Sequence, residues 1–232
     1  MSFAVLGVIP ARGGSKGIPN KNLALLGGRP LIAYTAGAAL ESRRTTRTVV
    51  STDDPAIASV ARELGLDVPF TRPEELAGDE TAMVPVVQHA LRMVRATGFQ
   101  PDAIVLLQPT SPLRRAEHID AAIALLEDSG CDSVVSVIDV PHHFNPVSVM
   151  RLDGDRLRPF LAEPSVTRRQ DKPLVLARNG PAVLATRVAT VDAGSLYGDD
   201  CRPLLMGPEE SLDIDTPWDL MLAECVLSRR RV

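Results

Sequence analysis

Residues 3–22, FAVLGVIPARGGSKGIPNKN, combine a continuous apolar run with a basic, glycine-rich segment. A short apolar run that ends at a turn signal is typical of a strand buried in a parallel sheet. In the segment that follows it, Arg12, Lys16 and Lys21 are accompanied by three glycines and by no acidic residue. Glycines let backbone N–H groups approach an anion closely, and the cations supply charge. The sequence therefore predicts a strand over 3–9 followed by a phosphate-binding loop.

This loop does not match the two common nucleotide-binding motifs. Lys16 is followed by Gly17 and not by Ser or Thr, which excludes a Walker P-loop, and the glycine spacing excludes the dinucleotide-binding G-x-G-x-x-G pattern. A purely structural turn would not require two cations. The loop thus favours a phosphate ligand, but it supports neither a GTPase nor a dehydrogenase.

Strand-like and helix-like segments alternate along most of the chain. The strand-like segments are 47–52, 103–108 and 133–140, and the helix-like segments are 30–42, 54–66, 81–98 and 116–128. This alternation predicts an α/β fold with a mostly parallel, doubly wound sheet. Further strands are expected at 181–187 and 203–206, with a closing helix over 216–230. Ligands of such sheets bind beyond the carboxyl ends of the strands, where the glycine-rich loop and the QPTSP segment at 108–112 would converge.

The alternation stops between residues 141 and 180, which are rich in turns and prolines. We predict that they form an inserted hairpin or flap within a single domain that spans 1–232. His142 and His143 are adjacent, so in a strand they would point to opposite faces, which argues against a zinc site. Contact between these histidines and a substrate is the more plausible role.

Composition excludes several classes of function. The chain has 232 residues, a net charge of −4 and only 3% aromatic residues, which disfavours both duplex binding and base stacking on aromatic platforms. Its three cysteines form no C-x-x-C pair, and no basic region precedes the first apolar run. No stretch approaches the roughly 18 apolar residues of a spanning helix. We therefore expect a cytoplasmic protein that binds neither nucleic acid nor a membrane.

Two pairs of carboxylates follow apolar segments. Asp213 and Asp215 in SLDIDTPWD point to the same side of an extended segment, and oxygen ligands of this kind suit Mg²⁺. The alternative is that Asp215 or Thr216 only caps the last helix. The second pair lies in STDD at 51–54, where capping of the following helix is favoured over catalysis.

Five segments in family order resemble the acylneuraminate cytidylyltransferases, also called CMP-sialic acid synthetases. They are IPARGGSKGIPNKNLALLGGRPLIAYT, RPEELAGDET, LLQPTSPLR, RRQD…ARNG and SLDIDTPWDL, which begin at residues 9, 72, 106, 168 and 211. The resemblance implies an α/β nucleotide-binding domain and a small dimerisation element that reaches over the partner's active site, here 141–180. It also implies a reaction in which the anomeric hydroxyl of a nonulosonic acid attacks the α-phosphorus of CTP and releases pyrophosphate.

The resemblance also assigns roles to individual residues. Arg12 and Lys16 would bind the triphosphate and stabilise the charge that develops on it. The rest of the implied nucleotide site is Ala11, Gly13, Gly14, Ser15, Asn22 and Arg72. On the other side, Gln108 and Arg169 would contact the acidic sugar. Asp213 and Asp215 would hold Mg²⁺.

The chain departs from the family pattern at three positions that the resemblance places on the sugar side. Pro181 and Leu184 replace an alanine and an aromatic residue, and Met83 stands where some sialic-acid enzymes have a small polar residue. The particular nonulosonic acid is therefore open. Two alternatives to the main interpretation are a keto-deoxyoctonate cytidylyltransferase and a nucleotide-binding homologue without catalysis.

Overall fold

The centre of the protein is a mixed β-sheet, seen in a computed structural model that describes residues 3–161 and 168–230. The strands along the chain are β1 (Val5–Pro10), β2 (Leu25–Leu26), β3 (Arg29–Pro30), β4 (Arg47–Ser51), β5 (Ala103–Leu106), β6 (Ser133–Asp139), β7 (Met150–Asp153), β8 (Arg156–Pro159), β9 (Leu176–Arg178), β10 (Leu184–Arg187) and β11 (Cys201–Leu205). In the central sheet the order is β11-β6-β10-β5-β1-β4, and β9 pairs with the carboxyl end of β6.

The sheet is mostly parallel, as the sequence predicts. Strand β1 runs parallel to β4 and β5, and β11 runs parallel to β6. Strand β10 is antiparallel to both β5 and β6, between which it lies. Its first three residues are as buried as those of the parallel strands, so hydrophobic pattern alone could not reveal its direction.

Helices cover both faces of the sheet. They are α1 (Leu31–Glu41), α2 (Pro55–Glu63), α3 (Met83–Ala96), α4 (Ala116–Ser129), α5 (Val188–Asp192) and α6 (Pro217–Arg230). Helices α1, α2 and α4 share one hydrophobic core with the sheet, and α3 and α5 share the core of the opposite face. Strand β1 serves both, because Val5 and Ile9 belong to the first core and Leu6 and Val8 to the second. The predicted doubly wound architecture is confirmed.

Side-chain caps fix two helix starts near the predicted site. Asp54 accepts hydrogen bonds from the main-chain N–H groups of Ala56 and Ile57, so the favoured capping interpretation of STDD is right for this residue. At the start of α6 the Asp219 carboxylate accepts from the Thr216 N–H at 2.8 Å, and Thr216 Oγ1 accepts from the Asp219 N–H at 3.3 Å. This reciprocal pair is a capping box.

The irregular segment contains the predicted hairpin. Strands β7 and β8 pair antiparallel and form a separate two-stranded sheet in which every residue is exposed. Its role as a dimerisation flap stays a prediction. Within the parts of the chain that the structure describes, every helix is too short or too polar to cross a bilayer.

Candidate active site

The glycine-rich loop leaves the carboxyl end of β1 and is shaped by close backbone contacts. Gly14 has a φ of 64°, which favours glycine, and a Cβ on Gly17 would lie 2.5 Å from the carbonyl oxygen of Asp215. The buried side chain of Asn22 donates a 2.9 Å hydrogen bond to the carbonyl of Arg12. The loop is therefore held against the segment that carries the acidic pair.

A cleft of about 330 Å³ opens between this loop and the loop after β5. Its lining residues are Pro10, Arg12, Ser15, Lys16, Gly17, Lys21, Asn22, Arg72, Met83, Gln108, Pro109, Thr110 and Asp215. They come from five separated segments of the chain that meet at the carboxyl ends of β1 and β5, as expected for this class of sheet. Four of these side chains are cationic and one is acidic, which suits an anionic ligand.

The structure brings most of the predicted site residues together in this cleft. Arg12, Ser15, Lys16, Asn22, Arg72, Gln108 and Asp215 all line it. Gly13 and Gly14 line an adjoining depression, and Ala11 is fully buried. The side chain of Arg169 lies outside the described residues. The functional roles of all these residues remain predictions.

One carboxylate, Asp79, pairs with two of the three cations of the loop. Asp79 Oδ1 is bound to Arg12 Nη2, and Asp79 Oδ2 lies 2.6 Å from Lys16 Nζ. Hydrogen bonds from Lys16 and then from Arg12 lower the pKa of the Asp79 carboxyl below its ordinary value. The two groups predicted to bind phosphates thus have an anionic partner within the protein.

Asp213 and Asp215 differ sharply in their surroundings. Asp215 is exposed and pairs with Lys21, whose Nζ lies 2.9 Å from Asp215 Oδ1. Asp213 is half-buried and does not line the cleft. Burial raises the pKa of its carboxyl, the Thr110 hydroxyl opposes this shift, and the nearby charge of Asp215 adds to it. The Asp213 Oδ1 atom is buried and makes no hydrogen bond of normal geometry.

This acidic pair fits a hard divalent cation. An unsatisfied, buried carboxylate oxygen is costly unless a ligand completes its coordination. The described residues assemble no group of three or more Asp, Glu, His or Cys side chains that could enclose a metal. Mg²⁺ is usually held by one or two carboxylates together with substrate phosphates and water, so a two-carboxylate set is sufficient.

Gln108 is held in place by a buried cation. Gln108 Nε2 donates a 3.1 Å hydrogen bond to the carbonyl of Gly180, and the Arg114 guanidinium donates to the Gln108 carbonyl. Arg114 also donates to Ala182 O at 2.7 Å and to Thr35 Oγ1 at 2.8 Å. Burial lowers the pKa of Arg114 to about 9, with the Asp213 charge opposing the shift. Arg114 therefore joins α1, the loop after β5 and the entry to β10.

Arg72 occupies a similar position on the nucleotide side. Its side chain is buried and donates to Ser51 Oγ at 3.0 Å and to Ser51 O at 2.5 Å. Burial lowers its pKa to about 10, with the charge of Asp53 opposing this effect and that of Arg12 adding to it. Asp53 itself accepts a 3.0 Å hydrogen bond from the Gly13 N–H. The carboxyl end of β4 is thereby tied to the glycine-rich loop.

The three departures from the family pattern are not equivalent in the structure. Leu184 is fully buried in the core of the α3 face, and Pro181 is buried beside Ala182. Met83, in contrast, lines the cleft. Of the three residues only Met83 lines the cleft, and the contact of these positions with a sugar stays a prediction.

Four residues of this region were absent from the predicted site. They are Lys21, Asp53, Asp79 and Arg114. Each lies in a segment that the sequence singles out, namely the basic loop, STDD, RPEELAGDET and LLQPTSPLR. Their contacts could not be predicted, because ion pairs between distant loops depend on how the loops converge.

The sheet order and the cation-lined cleft at its carboxyl edge define an α/β nucleotidyltransferase class. A family model for cytidylyltransferases matches residues 6–158, more than half of the chain. The chain belongs to the cytidylyltransferase family, which confirms the resemblance seen in the sequence.

Curated relatives extend this similarity over nearly the whole chain. The CMP-N,N'-diacetyllegionaminic acid synthase of Legionella pneumophila is 39% identical over 95% of this chain and 94% of its own length. The N-acylneuraminate cytidylyltransferase of Escherichia coli is 31% identical over 99% of this chain. The chain spans only 54% of that protein, and about half of several other N-acylneuraminate cytidylyltransferases.

A solved structure has the same fold. The CMP:2-keto-3-deoxy-manno-octonic acid synthetase in complex with CTP superposes with a TM-score of 0.72, at 18% identity, and covers 98% of this chain and 99% of its own. At this level of identity the likeness concerns the fold alone.

Proposed function

We propose that the protein transfers CMP from CTP to the anomeric hydroxyl of a nonulosonic, sialic-acid-like sugar and releases pyrophosphate. The observation that carries the proposal is the cleft itself, which Arg12, Lys16 and Gln108 line together at the carboxyl ends of β1 and β5. The names of the relatives at 39% and 31% identity support the same chemistry.

In this reaction the sugar hydroxyl oxygen forms a bond to the α-phosphorus, and the bond from the α-phosphorus to the bridging oxygen of pyrophosphate breaks. The hydroxyl proton leaves to a base in the same step or before it. Both substrates are anionic and the hydroxyl is a weak nucleophile, so most of the catalysis comes from charge neutralisation and alignment. Arg12 and Lys16 provide positive charge, and the buried Arg72 and Asn22 shape the nucleotide side.

Asp213 and Asp215 are the residues that would hold Mg²⁺. When bound, the cation screens the triphosphate and stabilises the departing pyrophosphate. The buried Asp213 oxygen without a hydrogen-bond partner supports this assignment. Lys21 pairs with Asp215, and both side chains line the cleft beside the proposed metal site.

We also propose that the active form is a homodimer joined through the segment 141–180. The hairpin β7–β8 exposes large apolar side chains, with Leu152 at 74% and Leu157 at 67% exposure. Exposed apolar surface of this kind is typical of an interface. A strictly monomeric enzyme with full activity, measured by light scattering at assay concentration, would contradict the homodimer. We propose the cytoplasm as the compartment of the protein, because its three cysteines, Cys131, Cys201 and Cys225, form no disulfide.

The test is a pyrophosphate-release assay that combines each nucleoside triphosphate with a panel of α-keto acid sugars, with and without Mg²⁺. The panel contains N-acetylneuraminic acid, N,N'-diacetyllegionaminic acid and keto-deoxyoctonate. Release with CTP and a nine-carbon acid is expected. Release only with keto-deoxyoctonate would show that the acceptor is this eight-carbon acid and not a nonulosonic acid. No release with any pair would refute the proposed activity.

A further inference from the structure

Asp79 makes ion pairs at the site that the proposed reaction does not use. Asp79 bridges Arg12 and Lys16, and each of its carboxylate oxygens contacts one of the two cations. Asp79 lies on the loop before α3, next to Gly78, and borders a depression that also includes Lys16. It flanks the cleft and does not line it.

A carboxylate and a phosphate compete for the same donors. Guanidinium and ammonium groups form charge-assisted hydrogen bonds with either anion, so a phosphate that reaches Arg12 and Lys16 must replace the oxygens of Asp79. The side chains of Asp79 and Arg12 are 32% and 30% exposed and that of Lys16 is 82% exposed, so all three are accessible to solvent. Exposed ion pairs of this kind are weak enough for a polyphosphate to displace.

We propose that Asp79 competes with pyrophosphate for Arg12 and Lys16, the cations that would bind this product. The Asp79 carboxylate returns to the two cations as pyrophosphate leaves. This inference rests on the proposed function for its place in the reaction, because pyrophosphate is the product that those cations would hold. A partner anion within the same chain reaches the cations at a high effective concentration. It therefore weakens the binding of the leaving product and prevents the cations from retaining it.

Substitution of the competitor has a defined consequence. In Asp79→Asn the two cations lose an anionic partner, so inorganic pyrophosphate no longer has to displace a charge. While Asp79 occupies the cations, only a fraction of the protein is competent to bind pyrophosphate, and the apparent affinity is reduced by that fraction. Removal of the competitor therefore raises the apparent affinity. We expect pyrophosphate to bind about tenfold more tightly, which is the scale of a weak exposed ion-pair network.

The chain offers a matched control one residue away. Glu80 is exposed and has no ion pair among the described residues. Glu80→Gln removes the same formal charge from the same loop, so it measures the general electrostatic effect without breaking a contact. Pyrophosphate affinity in Glu80→Gln is expected to stay within about twofold of the wild type.

The experiment is isothermal titration of the full chain with sodium pyrophosphate at fixed ionic strength, without Mg²⁺ and then with it. Wild type, Asp79→Asn, Asp79→Ala and Glu80→Gln are compared, and thermal melting checks that each is folded. The effect of Asp79→Asn is then repeated in a Lys16→Met background, where it should be smaller because one of the two bridged cations is gone.

Tighter binding in both Asp79 variants, with Glu80→Gln unchanged and a smaller effect in the Lys16→Met background, supports the proposal. Unchanged or weaker pyrophosphate binding in Asp79→Asn would overturn it, as would an equal gain in Glu80→Gln. Loss of binding only in the presence of Mg²⁺ would also overturn it, since Asp79 would then serve the metal complex. Because the titration needs no turnover, it can fail or succeed independently of the sugar transfer.

Discussion

The main-chain N–H of Gly13 donates a 3.0 Å hydrogen bond to Asp53 Oδ1, so a carboxylate from the end of β4 sits against the glycine-rich loop. One of the backbone N–H groups predicted to approach a phosphate is therefore already hydrogen-bonded within the protein. This N–H is therefore not free to bind an anion, so a ligand of the loop would have to be bound by other N–H groups or by cations that first exchange their carboxylate partners. Asp53 acts by fixing the shape of the loop.

The adjacent carboxylates Asp53 and Asp54 give a matched pair of variants. Asp53→Ala is expected to raise the KM for CTP about tenfold, the cost of one lost charge-assisted hydrogen bond, because the loop is no longer fixed. Asp54→Ala removes the cap of α2 and is expected to lower the free energy of unfolding by about 1 kcal/mol, with the KM for CTP unchanged. Steady-state kinetics and urea denaturation measure both. An equal change in KM for the two variants would contradict a specific role for Asp53.

The buried guanidinium of Arg114 is predicted to be a stability determinant. Arg114→Met leaves the carbonyl groups of Gln108 and Ala182 without their donor and is expected to cost about 3 kcal/mol or more in the free energy of unfolding. Thr35→Val removes a single acceptor of the same guanidinium and should cost about 1 kcal/mol. Urea denaturation of both variants is the measurement. If Arg114→Met lowers the free energy of unfolding by less than Thr35→Val does, the bridging role of Arg114 is refuted.

Both the alternating fold and most of the cleft could be predicted from the sequence, for a common physical reason. Strand and helix periodicity is local, and the carboxyl edge of a parallel sheet collects the loops that follow its strands. The observed strand at Val5–Pro10 and the helix at Ala116–Ser129 end within one or two residues of their predicted limits. The sequence therefore predicts that Arg12 and Gln108 lie near each other, and in the structure both line the cleft.

The remaining features depend on contacts between distant segments. Strand β10 is antiparallel to β5, and its direction depends on where the chain re-enters the sheet. Its buried side chains have the same pattern in either direction, so the sequence does not predict it. The pairing of Asp79 with Arg12 spans 67 residues, and the pairing of Lys21 with Asp215 spans 194. No local pattern encodes such pairs.

Met83 is predicted to influence the choice of acceptor. It is the only one of the three departures from the family pattern that lines the cleft. Its thioether side chain favours contact with an apolar part of the sugar, so Met83→Ser should change the ratio of kcat/KM between two nonulosonic acids about tenfold. The KM for CTP should stay the same. Equal changes for both sugars, measured by pyrophosphate release, would show that Met83 does not select the acceptor.

The carboxylate of Asp132 gives a pH-dependent contribution to stability away from the cleft. Its Oδ2 accepts hydrogen bonds from the N–H groups of Asp200 at 3.0 Å and Asp199 at 2.9 Å, and these lower its pKa below the ordinary value. A lowered carboxyl pKa stabilises the fold above the pKa of the unfolded state, about 3.9, and the contribution is lost as the pH falls through the folded pKa. The difference in urea midpoint between wild type and Asp132→Asn should therefore be constant near neutral pH and narrow below about pH 4. A difference that does not vary with pH would contradict this assignment.

The proposed metal pair makes different demands on its two members. Asp213→Asn should lower kcat at least about 10²-fold and abolish the stimulation of the remaining rate by Mg²⁺, because the buried Asp213 oxygen is the preformed part of the site. Asp215→Asn leaves that oxygen in place, so it should mainly raise the Mg²⁺ concentration needed for half-maximal rate. Binding of Mn²⁺ in the presence of CTP, followed by electron paramagnetic resonance, provides a readout that does not require turnover. Glu209→Gln, an exposed carboxylate that pairs with Arg230, is the control and should change neither quantity. Turnover and Mn²⁺ binding that survive the loss of both Asp213 and Asp215 would remove the metal from this pair.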